Sequence, residues 1–303
     1  MELGYPGQLF ILAFDHRGSF KKKMFGIVDE TPDDTKKLKE AKRLVWEGFA
    51  RAHAGGLPDG AGVLVDEEMG TEVARKAAAR GVPFAMSVEK SGQDVFDFEY
   101  GDDFGSHIES FSPTFSKVLV RWNPDDAAET KGLQGERLAR LGTWLHSSGR
   151  RYLFELLVPA SKHQLESVNG DVHAYDTRVR PSLMMQTITE LRAAGIDPDV
   201  WKIEGIDSTE DCRQIANLTR AGGRDGVKCV VLGRGADDTR VDHWLRTGAP
   251  VPGYAGFAIG RSIWWEAVEH WRDDKATFEA ATVTVAANYQ RFIDVYLAAA
   301  AAG

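Results

Sequence analysis

The chain is poor in cysteine, in long apolar runs and in net positive charge. Its 303 residues hold two cysteines, Cys212 and Cys229, and they form no motif. A disulfide framework is therefore not expected, and a reducing, cytoplasmic compartment is. The opening "MELGYPGQLFILAFDHRG" turns charged after a few apolar residues, which fits neither a signal peptide nor a membrane span. The formal net charge of −8 argues against a nucleic-acid partner, and the longest basic run is Lys21-Lys22-Lys23. There is no phosphate-loop or dinucleotide fingerprint, so neither a nucleotide nor NAD is implied. Histidines occur in no H-x-x-x-H or H-x-H arrangement. His16, His163 and His173 around a divalent ion remain the competing chemistry, but no metal and no cofactor is expected.

What the chain does contain is a repeated alternation. Short apolar runs lie at 9–18, 61–70, 82–92, 116–126, 151–161, 199–208, 227–237 and 254–264, most of them ending in polar, glycine-containing or acidic residues. Stretches with helical spacing separate most of them: 35–56, 127–149, 181–195 and 208–223, the last with Ser208 as its N-cap. A long helix is expected over 263–300, and the longest irregular segment at 159–180. Strand then helix, eight times, predicts an α/β protein folded as a single (β/α)8 barrel, one domain over 1–303. Trp46 and Trp144 on the outer helices fit either core or a subunit contact, so a homo-oligomer stays open.

A barrel of this kind carries its active site at the C-terminal strand ends. The polar residues there are Asp15, His16 and Arg17; Asp66 and Glu67; Glu89 and Lys90; Arg121 and Asn123; Glu155; Lys202 and Glu204; Arg234; and Arg261. Lys117, Glu155 and Lys202 fall within strand bodies. An outward charge there would be buried under helices, so all three are expected to face inward, on neighbouring strands. Such a cluster suits Schiff-base chemistry. Lys202 would be the amine nucleophile, Glu155 the general base, Lys117 the cation favouring a neutral Lys202, and Asp15 a binding or orienting group. Glu204 complicates this by offering Lys202 a counter-charge. The structural alternative is an ion-pair network in the barrel mouth. Gly233-Arg234 and Gly260-Arg261 follow the seventh and eighth runs, where such barrels bind phosphate. Trp264-Trp265 reads as helix packing.

The segments "LAFDHRGSF", "LVDEEMG", "VEKSGQD", "KVLVRWNPDD", "FELL", "WKIEG" and "GRSIWW" resemble, in order, the class I tagatose-bisphosphate aldolases. The resemblance covers about residues 8–290. It is closer to the aldolase-like domain fused to the sugar kinase of bacterial myo-inositol catabolism, here expected to stand without the kinase. It implies a carbon–carbon lyase with Lys202 as the Schiff-base lysine and Glu155 as acid/base. Asp15 and Lys117 would be further active-site residues, and Arg261 would bind phosphate. His16 stands where the tagatose enzymes carry glutamine, and the segment after strand five differs. For the inositol-pathway relatives the implied substrate is 2-deoxy-5-keto-gluconate 6-phosphate, cleaved to dihydroxyacetone phosphate and malonate semialdehyde. Arg261 and Arg234 would take the phosphate. His16, Arg17, Arg121 or a cation of the segment after strand five (Lys162, Arg178) would face the carboxylate at the other end, and Lys90 is a further substrate-binding candidate. The alternatives are a tagatose- or fructose-bisphosphate aldolase, an aldolase for another deoxy-sugar phosphate, or a non-catalytic sugar-phosphate-binding module partnering a sugar kinase.

Overall fold

The computed structural model describes residues 2–302. Eight strands close in sequence order into one parallel barrel: β1 (Leu9–Ala13), β2 (Ala61–Val65), β3 (Phe84–Ser87), β4 (Phe115–Arg121), β5 (Arg151–Leu157), β6 (Val200–Glu204), β7 (Lys228–Leu232) and β8 (Tyr254–Ile259). β1 pairs with both β2 and β8, which leaves no sheet edge. The helices are α1 (Pro32–Ala54), α2 (Glu67–Ala79), α3 (Phe104–Phe111), α4 (Ala128–Ser147), α5 (Lys162–Ser167), α6 (Val172–Ala174), α7 (Arg180–Ala193), α8 (Thr209–Arg220), α9 (Asp238–Gly248), α10 (Arg261–Arg272) and α11 (Phe278–Ala301). This is the (β/α)8 barrel that the alternation of runs predicts. No described helix is long and apolar enough to cross a membrane.

Strand alternation builds two cores. Leu9, Ile11, Leu64, Ala85, Phe115, Leu153, Val200, Val230 and Ala258 fill the barrel. The intervening residues, such as Phe10, Leu12, Val63, Val118, Phe154 and Trp201, pack outward against the helices. Trp46 lies in that outer core, while Trp144 is half-buried and packs edge-on to Phe104. Trp264 is buried, and its indole N–H donates to the Ala13 carbonyl at 2.9 Å.

Two expectations need correction. The 263–300 helix is two helices, α10 and α11. Asp274 takes a left-handed φ of 56°, and Thr277 caps α11 by accepting from Ala280 N–H at 3.1 Å. The 159–180 segment is not irregular. Ser161 and Gln164 form a reciprocal capping box for α5, Asp171 caps α6, and a π-helical turn spans Tyr175–Val179.

A buried lysine joins the ends of β1 and β2. Lys42 of α1 is 2% exposed. Its Nζ pairs with Asp66 at 2.8 Å and donates to the His16 carbonyl at 2.9 Å and to the Phe14 carbonyl. Asp66 also accepts from Met69 N–H at 2.8 Å, capping α2. Lys42 thus fixes the turn that carries Asp15 and His16. Removing one member of a buried pair strands the other charge. Lys42→Ala is expected to lower stability by about 3–5 kcal/mol in urea unfolding; a loss below about 1 kcal/mol would contradict this role.

Candidate active site

The inward positions above the barrel core are charged. β4 runs Phe115, Lys117, Leu119 and Arg121 along one face; β5 runs Leu153, Glu155 and Leu157; β6 runs Val200, Lys202 and Glu204. The β5–β6 register sets Glu155 directly beside Lys202. The β3–β4 register sets Ser87 beside Lys117. Asp15 and Glu89 extend the inward parity of β1 and β3. The structure therefore brings together all four residues expected to do chemistry.

Lys117, 1% exposed, is the hub. Its Nζ lies 2.7 Å from Asp15 Oδ2, 2.9 Å from Glu89 Oε1 and 3.1 Å from Glu155 Oε2. The same Glu155 oxygen lies 3.0 Å from Lys202 Nζ. Arg17 donates to the Glu89 carbonyl at 2.6 Å and reaches Glu89 Oε1 at 3.3 Å and Glu99 at 2.8 Å. Within the ring, three carboxylates (Asp15, Glu89, Glu155) face three cations (Arg17, Lys117, Lys202). This mutual pairing keeps so many buried charges tolerable.

The titration behaviour follows from this balance. Burial by itself would raise the Asp15 carboxyl, but Lys117 and Lys202 outweigh it and hold Asp15 well below the usual range. Glu155 is likewise raised by burial and lowered on balance by Lys117 and Lys202. For Glu89 burial wins over Lys117 and Arg17, and its carboxyl titrates above the ordinary value. Burial alone would lower Lys117, yet its three carboxylates hold it above the ordinary lysine value. Lys117 thus stays charged near Lys202, with its charge balanced by its own carboxylates.

Glu204 does not face Lys202. It accepts from Val158 N–H at 2.8 Å and pairs with Arg234 at 3.1 Å and Arg180 at 3.6 Å. That removes the complication it posed as a counter-charge. Arg234 is occupied by Glu204 and by Asp176, 2.9 Å away, so its guanidinium is not free for phosphate. Arg261 makes no ion pair among the described residues and donates to the Arg234 carbonyl at 2.6 Å. Gly235, at φ +73°, gives it room, since a Cβ there would sit 2.6 Å from the guanidinium carbon. Gly260 is needed too, because its Cβ would meet the Ala13 carbonyl oxygen at 2.2 Å. The first amides of α10, at Arg261 and Ser262, have no helical acceptor and open beside the Gly233–Ala236 turn. Ser262 Oγ donates to the Ala236 carbonyl at 2.7 Å and locks turn and helix together.

These groups line a cavity of about 680 Å³ with Asp15, Lys117, Glu155 and Lys202 among its walls. Lys22, Lys23 and Lys90 are exposed on its rim, and none makes an ion pair among the described residues. Arg121 also lines it, donating to the Gln93 carbonyl at 2.8 Å. Lys162 and Arg178 are exposed and outside the cavity lining, and Arg17 is spent on Glu89 and Glu99. Lys22, Lys23 and Gln93 also line the cavity, and the sequence alone does not single them out. The lysine triplet alone looks like a solvated turn; the π-helical turn Phe20–Met24 brings Lys22 and Lys23 to the mouth, while Lys21 pairs with Glu30 and Glu68.

The three histidines do not converge. His163 is exposed and 3.4 Å from Asp125, and His173 is exposed on α6. Among the described residues no three His, Cys, Asp or Glu side chains gather in ligating geometry. His16 lines the cavity beside Trp264. Burial drives its imidazole down to about 3 against the opposing pull of Asp15. A neutral ring supplies no charge to a carboxylate and would meet one only through a hydrogen bond.

The fold and site define a (β/α)8 barrel with a lysine–carboxylate cluster at the C-terminal ends of its strands. The chain belongs to the family DUF2090, described as an uncharacterized protein conserved in bacteria, which matches residues 4–300. No curated protein matches the chain. Among solved structures, it is similar to the fructose-bisphosphate aldolase of Plasmodium falciparum in a ternary complex with TRAP and a small-molecule inhibitor. That match has a TM-score of 0.66 and 13% identity, over 96% of this chain and 91% of that one. It is also similar to Cgl0159 of Corynebacterium glutamicum, at a TM-score of 0.58 and 18% identity, over 96% and 88% of the two chains. At these identities the likeness is one of fold.

The His16 ring offers a direct check on the site's electrostatics. Its pKa is depressed, so the neutral ring stabilises the fold fully above the ordinary value of 6.5, and that contribution is lost as pH falls toward about 3. Histidine-selective NMR is expected to show no His16 titration between about pH 5 and 8. A midpoint near 6.5 would contradict the desolvated ring.

Proposed function

We propose that the protein is a class I aldolase that cleaves a ketose phosphate through a Schiff base on Lys202. The observation that carries this reading is the buried Lys202 Nζ lying 3.0 Å from Glu155 Oε2 on a cavity wall, with Arg261, in no ion pair among the described residues, at the strand-eight end of the same cavity. A buried amine beside a carboxylate, facing a ligand-sized space, has the parts needed for iminium chemistry.

In this reading the Lys202 amine adds to the substrate ketone and water leaves, giving an iminium. Glu155 takes the proton from the hydroxyl β to that carbon. The carbon–carbon bond then breaks, its electron pair enters the iminium to form an enamine, and an aldehyde departs. Protonation of the enamine and hydrolysis of the regenerated iminium release the second product. Asp15 and Lys117 hold the hydroxyl-binding wall. The backbone amides of the Gly233–Ala236 turn and the start of α10 join Arg261 around the phosphate.

Within this class, the substrate we favour is 2-deoxy-5-keto-gluconate 6-phosphate, giving dihydroxyacetone phosphate and malonate semialdehyde. The placement of free cations supports it. β8 and β4 stand opposite each other in the closed barrel, so a ligand anchored at Arg261 extends toward Arg121 and Lys90. A molecule with phosphate at one end and carboxylate at the other matches that polarity. A tagatose- or fructose-bisphosphate substrate is the alternative within the same chemistry.

Turnover of 2-deoxy-5-keto-gluconate 6-phosphate, followed by malonate semialdehyde release, tests the substrate; cleavage of a ketose bisphosphate in its place would overturn it. Lys202→Ala is expected to abolish turnover while ligand affinity persists. A wild-type protein that binds the sugar phosphate without turnover, and whose affinity Lys202→Ala leaves unchanged, would instead mark a binding module. Arg261→Ala is expected to raise KM by roughly ten- to a hundredfold, the cost of about 1.5–3 kcal/mol for losing a charged hydrogen bond.

A further inference from the structure

Glu89 is the member of the cluster that the proposed chemistry leaves unused, and its geometry is unlike that of the other two carboxylates. It is 5% exposed. Its Oε1 accepts from Lys117 at 2.9 Å and from Arg17 at 3.3 Å, while its Oε2 is buried with no hydrogen-bond partner. In the resting ring the Glu89 carboxylate leaves negative charge on a bare, buried oxygen, a cost that taking up a proton would relieve. The groups facing it are Lys117 on β4, Asp15 at the end of β1, and Arg17 in the following turn, itself shared with Glu99. Contacts of 2.9–3.1 Å run without a break from Lys202 through Glu155 and Lys117 to Glu89.

We propose that Glu89 is a positioning residue for the proton. It stores the proton that Lys202 must give up before it can attack a ketone. This inference rests on the Schiff-base reading of Lys202. An N–H bond of Lys202 breaks as Glu155 gains an O–H. Lys117, an ammonium with no free lone pair, first gives one N–H proton to Glu89 and becomes an amine. The Glu155 O–H then breaks as that amine regains an N–H. The net result moves one proton from Lys202 to Glu89 and returns Glu155 and Lys117 to their starting states. The charge of the ring is unchanged, so Lys202 becomes nucleophilic without sending a proton to solvent. The upward displacement of Glu89's titration, opposite to that of Asp15 and Glu155, agrees with this assignment.

The test is the pH dependence of the rate at which dihydroxyacetone phosphate is trapped on the protein by borohydride. Because the proton stays inside the ring, the wild-type trapping rate is expected to be flat between about pH 6 and 8. Glu89→Gln keeps the shape and the acceptor oxygen but cannot take a proton. Its rate is expected to fall severalfold or more at pH 7 and to rise about tenfold per pH unit. Glu89→Asp is expected to restore a flat profile at a reduced rate, which separates proton storage from packing. A flat profile in Glu89→Gln, or no recovery in a folded Glu89→Asp, would overturn the role of Glu89 and leave the aldolase reading standing. Absence of any wild-type adduct would overturn both.

Discussion

An ammonium inside a barrel must be surrounded by negative charge, and Lys117 has three carboxylates within 3.1 Å. That single requirement ties together β1, β3, β4 and β5, and through Glu155 it reaches Lys202 on β6. Each carboxylate has a second task. Asp15 also accepts from Ser87 at 3.3 Å, Glu89 is gripped by Arg17, and Glu155 bridges the two lysines. The cluster is a shared balance in which moving one proton alters every neighbour. That sensitivity is costly for stability and useful for chemistry, because proton transfer between such groups needs little reorganisation.

The sequence makes the barrel legible because each strand is a short apolar run of fixed parity. The inward direction of Lys117, Glu155 and Lys202 follows from the same parity. Where capping carries the signal instead, the reading is weaker. Thr277 starts α11 inside what looks like one continuous apolar helix, and Ser161 with Gln164 starts α5 inside what looks like a loop. Glu89 is visible as a strand-end residue, but nothing in its neighbourhood says that its carboxyl turns toward Lys117, 28 positions of chain and one strand away. The pairing of Glu204 with Arg180 and Arg234 is equally invisible, because the partners come from two other segments.

The electrostatics of the whole chain and of its mouth have opposite sign. A protein with net charge −8 carries Lys22, Lys23, Lys90, Arg121 and Arg261 around one cavity, none of them in an ion pair among the described residues. Such local concentration draws small anions to the mouth, while the acidic remainder disfavours polyanions. Below that rim the ring around Lys117 is balanced. The exposed cations and the balanced ring are thus separated in depth, the first around the mouth and the second on the strands and their ends.

The central claim is that Lys202, and not the more deeply buried Lys117, is the nucleophile. The direct measurement is to treat the protein with dihydroxyacetone phosphate and borohydride and locate the reduced adduct by peptide mass spectrometry. The account predicts one stable adduct, on the peptide containing Lys202. An adduct on Lys117, or none while binding of the ligand is demonstrated, would contradict it.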